Sequence, residues 1–137
     1  MYQYEVQVRV RYAETDQMGF VYYGNYATYY EVARVEALRS LGITYKSLEA
    51  SGILLPVLEN RSKYILPARY DDLLTIKVIL DQIPSTRLSF RYEVFNEEKK
   101  LINLGETTLV FISRETEKPI IAPDFLIDIL NPFFGDR

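Results

Sequence analysis

The stretch RYAETDQMGFVYYGNYATYYEVAR, residues 11–34, sets an acidic loop ending in Asp16 just ahead of a helix signal at Gly24-Asn25. The first turn of a helix presents unpaired N–H groups and about half a positive charge. If Tyr23, Gly24 and Asn25 lead into that turn, their amides can point at a carbonyl oxygen, and Gly24 lets backbone and ligand come close. Such donors stabilise an oxyanion, and losing one typically costs ~10²–10³ in rate. A carboxylate beside them can attack the carbonyl carbon or deprotonate a water. That combination suits acyl transfer. The same residues also have a plainer reading, because Asp, Thr and Gly ahead of a helix are common turn formers. Spacing alone leaves Asp16 open between turn and chemistry, and Glu14 has the turn explanation only.

The composition narrows what other chemistry is possible. With no Cys and no His, a thiol nucleophile, a disulfide, a Ser-His-Asp triad and a His- or Cys-ligated zinc are excluded. Carboxylate, Lys, Tyr, hydroxyl and backbone amide remain, and neither a metal nor a cofactor is expected. The 137 residues suit one domain over 1–137. Twelve Tyr and seven Phe with no Trp suggest a core with polar rims, or the walls of a partly wet cleft. A net charge of −3 argues against bulk nucleic-acid binding but leaves room for a local basic patch on a small anionic ligand. No run reaches the ~18 apolar residues of a membrane span. The chain opens on a polar, alternating strand rather than a signal peptide, so a cytoplasmic protein is expected.

Several elements must position the loop. Residues 2–12 alternate, with Tyr2, Tyr4, Val6, Val8, Val10 and Tyr12 on one side and Gln3, Glu5, Gln7, Arg9 and Arg11 on the other, which predicts a strand with one covered face. A helix follows, with Asn25 as N-cap and Gly42 as its stop. Tyr26, Tyr29, Tyr30, Ala33, Ala37 and Leu41 share one helical stripe, and Val32, Val35 and Leu38 lie off it. Glu31 with Arg34 is the expected exposed helix pair. A short helix is predicted over 44–51. Strands are predicted over 53–66 (interrupted at Pro56), 73–80, 86–95 and 101–113, and Pro123 opens a last short helix. Consecutive strands are expected to pair as an antiparallel meander against the long helix, with two copies joining edge to edge.

The opening motif resembles the hotdog-fold acyl-CoA thioesterases, closest to the 4-hydroxybenzoyl-CoA thioesterases and their relatives encoded near the Tol–Pal envelope genes. Thr15, Asp16, Gly19, Val21, Tyr22, Asn25 and Tyr26 carry the likeness, with LPARYDDLL and GETTLVFIS as weaker matches further on. The resemblance implies an α+β hotdog fold, a long central helix wrapped by a curved five-stranded antiparallel sheet. It implies Asp16 as the essential carboxylate and the Tyr23 amide as the grip on the thioester oxygen, beside the Gly24 that the helix-mouth reading already offers. It further implies an acyl-CoA substrate and a homodimer or homotetramer with active sites at the dimer interface. Tyr22 and Asn25 at the helix mouth, and Arg61, Ser62, Lys63, Ser85 and Arg87 on the sheet, become the candidate substrate-binding residues. Many Tol–Pal-type relatives carry His where this chain has Tyr23, which bears on the substrate more than on the reaction. An acyl-carrier-protein thioesterase and a non-catalytic acyl-CoA-binding dimer are the alternatives; a hotdog dehydratase would need a His.

Overall fold

The computed structural model describes residues 1–135. β1 (Tyr2–Arg9) is followed by a short 3₁₀ turn (Tyr12–Glu14), the long helix α1 (Asn25–Ser40) and the short helix α2 (Tyr45–Ala50). Then come β2 (Ile53–Leu54), β3 (Val57–Tyr64), β4 (Leu73–Leu80), β5 (Arg87–Phe95), β6 (Leu101–Val110) and β7 (Ile112–Ser113), with α3 (Asp124–Leu130) near the end. Five strands form one antiparallel sheet in the order β1-β4-β5-β6-β3, and β2 pairs separately with β7. This is the helix-on-sheet arrangement of a hotdog fold.

The period-two pattern of β1 holds as read: its even-numbered residues are covered or half-covered and its odd-numbered ones exposed. The strand stops at Arg9, however, and Tyr12 lies exposed in the 3₁₀ turn, stacked on Tyr70 at 3.8 Å. On α1 the buried positions are Tyr26, Tyr29, Tyr30, Ala33, Arg34, Ala37 and Leu38. The aromatic half of the predicted stripe is therefore right. Leu38 replaces Leu41 at its far end, because the chain turns back there: Ile43 donates to the Leu38 carbonyl past Gly42, at φ +85°. Against α1 pack Leu74, Ile76 and Val78 of β4 and Leu88, Phe90, Tyr92 and Val94 of β5 in one core. Each side chain of that size, fully buried, contributes about 1.5–3 kcal/mol.

Four expectations need correction. Arg34 forms no exposed pair with Glu31; it is buried and donates to the hydroxyls of Tyr45 (3.0 Å) and Tyr92 (3.3 Å). Pro56 divides its segment into two strands that belong to different sheets, because β2 leaves to pair with β7. The last strand likewise splits, into β6 and β7. The meander runs only through β4-β5-β6: β3 pairs with β6 at the far edge, and β1 occupies the place beside β4. The connection from β3 to β4 must therefore return across the molecule, and it does so over the mouth of α1.

One contact fixes how closely α1 meets the sheet. Tyr30 stacks on Tyr92 with ring centroids 4.2 Å apart. Its hydroxyl reaches Ser62 at 2.6 Å and also Asn103. A Cβ at Gly105 would stand 2.2 Å from the Tyr30 ring, so only glycine admits this approach.

Candidate active site

The loop before α1 is tied to itself through Asp16. Its amide donates to the Phe20 carbonyl at 2.8 Å and its carbonyl accepts from Gly19 at 2.9 Å. Gly19 takes φ +82°, a conformation that suits glycine. The side-chain Oδ1 accepts from the amides of Met18 (2.9 Å) and Phe20 (3.2 Å). Asp16 is thus a turn former, as its plainer reading held, but with one oxygen only. Among the described residues no hydrogen bond reaches Oδ2. The carboxylate is half-buried, pinned by one oxygen and free at the other.

A second layer joins this loop to the helix through Glu14, a residue the sequence suggested only as a turn former. Its carboxylate is buried and accepts from the Arg11 amide (2.9 Å), the Arg11 guanidinium (2.8 and 3.0 Å) and the Tyr29 hydroxyl (2.8 Å). Burial pushes its acidity weaker, but the Arg11 amide, the guanidinium and the Tyr29 hydroxyl outweigh that and hold it below the usual carboxylate range. The Glu14 carbonyl accepts from the Tyr22 amide and from Asn25 Nδ2, both at 2.8 Å. Glu14 thereby fastens the end of β1, the Asp16 loop and the first two turns of α1 to one point. The available signal was its spacing, since a carboxylate three residues after Arg11 can reach back to the Arg11 amide.

This bonding changes the part assigned to Asn25. The residue flanking the helix is Gly24, and Asn25 is already helical. Its side chain is spent on the Glu14 carbonyl rather than offered to a ligand. The Asn25 and Tyr26 amides are likewise taken, by the carbonyls of Tyr22 (2.9 Å) and Tyr23 (3.2 Å). Among the described residues no hydrogen bond uses the amides of Tyr23 or Gly24, so both are open donors at the helix mouth. Gly24 has ordinary helical torsions, and a Cβ there would meet the Tyr22 ring at 3.0 Å.

Asp16 and Tyr23 line one cavity of about 310 Å³. Met18, Phe20, Val21 and Tyr26 complete its near wall, and Tyr64, Ile65, Leu66 and Pro67 form the opposite one. That opposite wall is the start of the crossover from β3 to β4. Ile65 and Leu66 both donate to the Ile102 carbonyl, at 2.9 and 3.1 Å. Val21 donates to Ala68 at 2.8 Å, and the Arg69 guanidinium lies 5.1 Å from the centre of the Phe20 ring. The tyrosines meet edge to face, with centroids 5.5 Å apart for Tyr26–Tyr64 and 6.4 Å for Tyr23–Tyr64. A meander would have left Asp16 without this wall.

The remaining candidates lie elsewhere in the protomer. Tyr22, half-exposed, packs beside Tyr23 at 4.7 Å and does not line the cavity. Arg61 and Lys63 face outward on the other side of β3, where Arg61 pairs with Glu106 at 3.0 Å. They line a hollow of about 510 Å³. Ser62 contributes to that hollow, but its hydroxyl is engaged inside by Tyr30 and Asn103. Ser85 and Arg87 line a separate hollow of about 420 Å³ beside Asp81 and Arg91. The structure thus brings Asp16 and Tyr23 together, with Gly24 adjacent in sequence, and leaves the sheet candidates apart from them.

A long helix across a five-stranded antiparallel sheet in this strand order is the architecture of the hotdog class of thioesterases. The chain belongs to the thioesterase superfamily, whose family model matches residues 18–103, and it is a thioester hydrolase. Asp16 lies two positions ahead of the matched segment. The putative acyl-CoA thioesterase YneP of Bacillus subtilis is 31% identical over 114 residues, 83% of each chain. The acyl-CoA thioester hydrolase YbgC of Escherichia coli is 33% identical over 120 residues, 88% of this chain and 90% of that one. Among solved structures, a DHNA-CoA thioesterase from Staphylococcus aureus superposes with a TM-score of 0.87 at 34% identity, over 100% of this chain and 98% of that one. A 1,4-dihydroxy-2-naphthoyl-CoA thioesterase from Synechocystis, at 20% identity, shares the fold with a TM-score of 0.90, over 98% of this chain and 100% of that one.

Proposed function

We propose that the protein hydrolyses acyl-CoA thioesters, with Asp16 as nucleophile or general base and the Tyr23 and Gly24 amides as the oxyanion hole. The observation that carries this reading is the meeting of Asp16 and Tyr23 in one apolar cavity, the carboxylate Oδ2 and both amides being free of protein partners. As nucleophile, Oδ2 attacks the thioester carbon, the C–S bond breaks, the thiolate takes a proton from solvent, and water hydrolyses the resulting anhydride. As general base, Asp16 accepts a proton from water as that water attacks, and the proton passes to the departing sulfur. In both routes negative charge develops on the carbonyl oxygen, where the amides act.

The assay is thiol release across short, long and aryl CoA esters. Asp16→Asn is expected to collapse turnover while the variant folds and binds CoA esters. Turnover equal to wild type would remove Asp16 from the mechanism, and binding without any turnover in the wild type would leave a non-catalytic acyl-CoA-binding protein. Single turnover in ¹⁸O water separates the routes: label in the Asp16 carboxylate supports the anhydride, and label only in the product acid supports general base action. Presenting one acyl group on CoA and on acyl carrier protein decides between carriers.

The reading includes a homodimer in the cytoplasm. β3 is an edge strand, exposed along almost its whole length, and Val57, Leu58 and Tyr64 on it are about half exposed. An apolar edge of this kind is a template for a second copy. Pairing along β3 carries a partner's residues toward the cavity wall at Tyr64, which is how Arg61, Lys63, Ser85 or Arg87 would come to serve the phosphates of a bound CoA. Light scattering is expected to give twice the 16.0 kDa chain mass, or four times if dimers pair. A monomer would overturn this part.

A further inference from the structure

The loop that carries Asp16 is a small hairpin. At its base the Tyr22 amide donates to the Glu14 carbonyl at 2.8 Å. Thr15 and Val21 form the next rung as an antiparallel bridge, and the Asp16 amide makes the third by donating to the Phe20 carbonyl at 2.8 Å. Asp16 therefore stands at the tip, where Gly19 turns the chain at φ +82°. Tyr22, at the base, is followed directly by Tyr23 and Gly24 and then by α1. How far the carboxylate sits from the open Tyr23 and Gly24 amides thus depends on how the hairpin base is fixed to the start of the helix.

One oxygen does much of that fixing. The Glu14 carbonyl accepts from the Tyr22 amide and also from Asn25 Nδ2, both at 2.8 Å. The two donors bracket the open pair, since Tyr22 immediately precedes Tyr23 and Asn25 immediately follows Gly24. The Asn25 amide closes the same turn on the Tyr22 carbonyl at 2.9 Å. Glu14 is itself held, its buried carboxylate accepting from the Arg11 amide and the Tyr29 hydroxyl. A carbonyl oxygen has two lone pairs, and this one has a donor for each. Without the Asn25 donor the oxygen still holds Tyr22, so no buried polar group is orphaned. What is lost is the side-chain tie between the hairpin and the Gly24 side of the open pair.

We propose that Asn25 is a positioning residue for the oxyanion hole: through the Glu14 carbonyl it holds the Tyr23 and Gly24 amides at a fixed place relative to the Asp16 carboxylate, without touching the substrate. The inference rests on the reading in which those amides grip the thioester oxygen. Such donors matter most once charge has developed on that oxygen, so their placement bears on the transition state more than on ground-state binding. A variant without the tie loses kcat and keeps KM.

The test measures thiol release and urea midpoints together on Asn25→Ala and Asn25→Leu; the second nearly keeps the shape of Asn, lacks the donor and suits a helix. Each is expected to lower kcat by about tenfold to hundredfold with KM within about twofold of wild type. Tyr30→Phe is the structural control. It removes a buried hydroxyl bonded to Ser62 and Asn103 further along the same helix, and is expected to lower the urea midpoint and leave kcat unchanged. Wild-type kcat in whichever Asn25 variant folds overturns the inference. So does a fall in kcat that Tyr30→Phe reproduces at an equal loss of stability. Failure of the underlying reading looks different. If Asp16→Asn keeps full turnover while the Asn25 variants lose theirs, the carboxylate's part fails and the positioning of the amides stands. If the wild type hydrolyses no ester, the reading fails and this inference falls with it.

Discussion

Two arginine–glutamate pairs sit in different parts of the molecule with nearly the same geometry. Arg11 and Glu14 meet at 2.8 Å, and Arg61 and Glu106 at 3.0 Å. The Glu14 side chain is 8% exposed, whereas that of Glu106 is 58% exposed. The first carboxylate also holds the Arg11 amide and the Tyr29 hydroxyl, and its own carbonyl holds Tyr22 and Asn25. Among the described residues the second holds only its arginine, across two neighbouring strands. Exposed pairs of that kind contribute about 0–1 kcal/mol. Distance between charges therefore says little about importance. What differs is how many other groups would lose their partner if the carboxylate went.

That comparison can be broken in order of expected effect. The cavity that Glu14 braces is expected to fail most visibly at Asp16→Asn, with thiol release falling by ~10²–10⁴ while circular dichroism is unchanged. Glu14→Ala is expected to cost about 1–3 kcal/mol in urea unfolding, because a buried Tyr29 hydroxyl loses its acceptor. Gly105→Ala, which drives a methyl into the Tyr30 ring on the sheet's inner face, is expected to cost a similar ~1–3 kcal/mol by the same measurement. Glu106→Gln is expected to stay within about 0.5 kcal/mol, as surface substitutions do. A Glu106→Gln variant as damaged as Glu14→Ala would refute the contrast.

Acid sharpens it further. Glu14 is held below the usual carboxylate range in the fold. Its stabilising contribution is therefore fully present above the unfolded glutamate value of ~4.3 and is lost as pH falls through the lower folded value. Urea midpoints measured from neutral pH downward are expected to drop more steeply for wild type than for Glu14→Gln. Parallel curves would show that the buried carboxylate is not held ionised.

The parts legible in the sequence are those governed by local period. The alternation of β1, the aromatic stripe of α1 and the stop at Gly42 all appear where side-chain spacing put them. Asp16 and Tyr23 were legible as a pair because both lie in one contiguous segment at the helix mouth. The opposite cavity wall was not, since Tyr64 to Pro67 reach it only because β3 pairs at the far edge of the sheet, and period-two patterns do not encode which strand is the neighbour. Arg34 and Glu14 were missed for a related reason. A charged residue reads as exposed until the phenols that receive it, Tyr45 and Tyr92 or Tyr29, are known to converge from other elements.

Both leading amides of the crossover hang on one carbonyl, that of Ile102. During synthesis, Asp16, the helix and β3 all leave the ribosome well before that anchor exists. A nascent chain shorter than this point carries Asp16 but not the anchor of the opposite cavity wall, so that wall can be tied down only once β6 has been made and lies between its two neighbours.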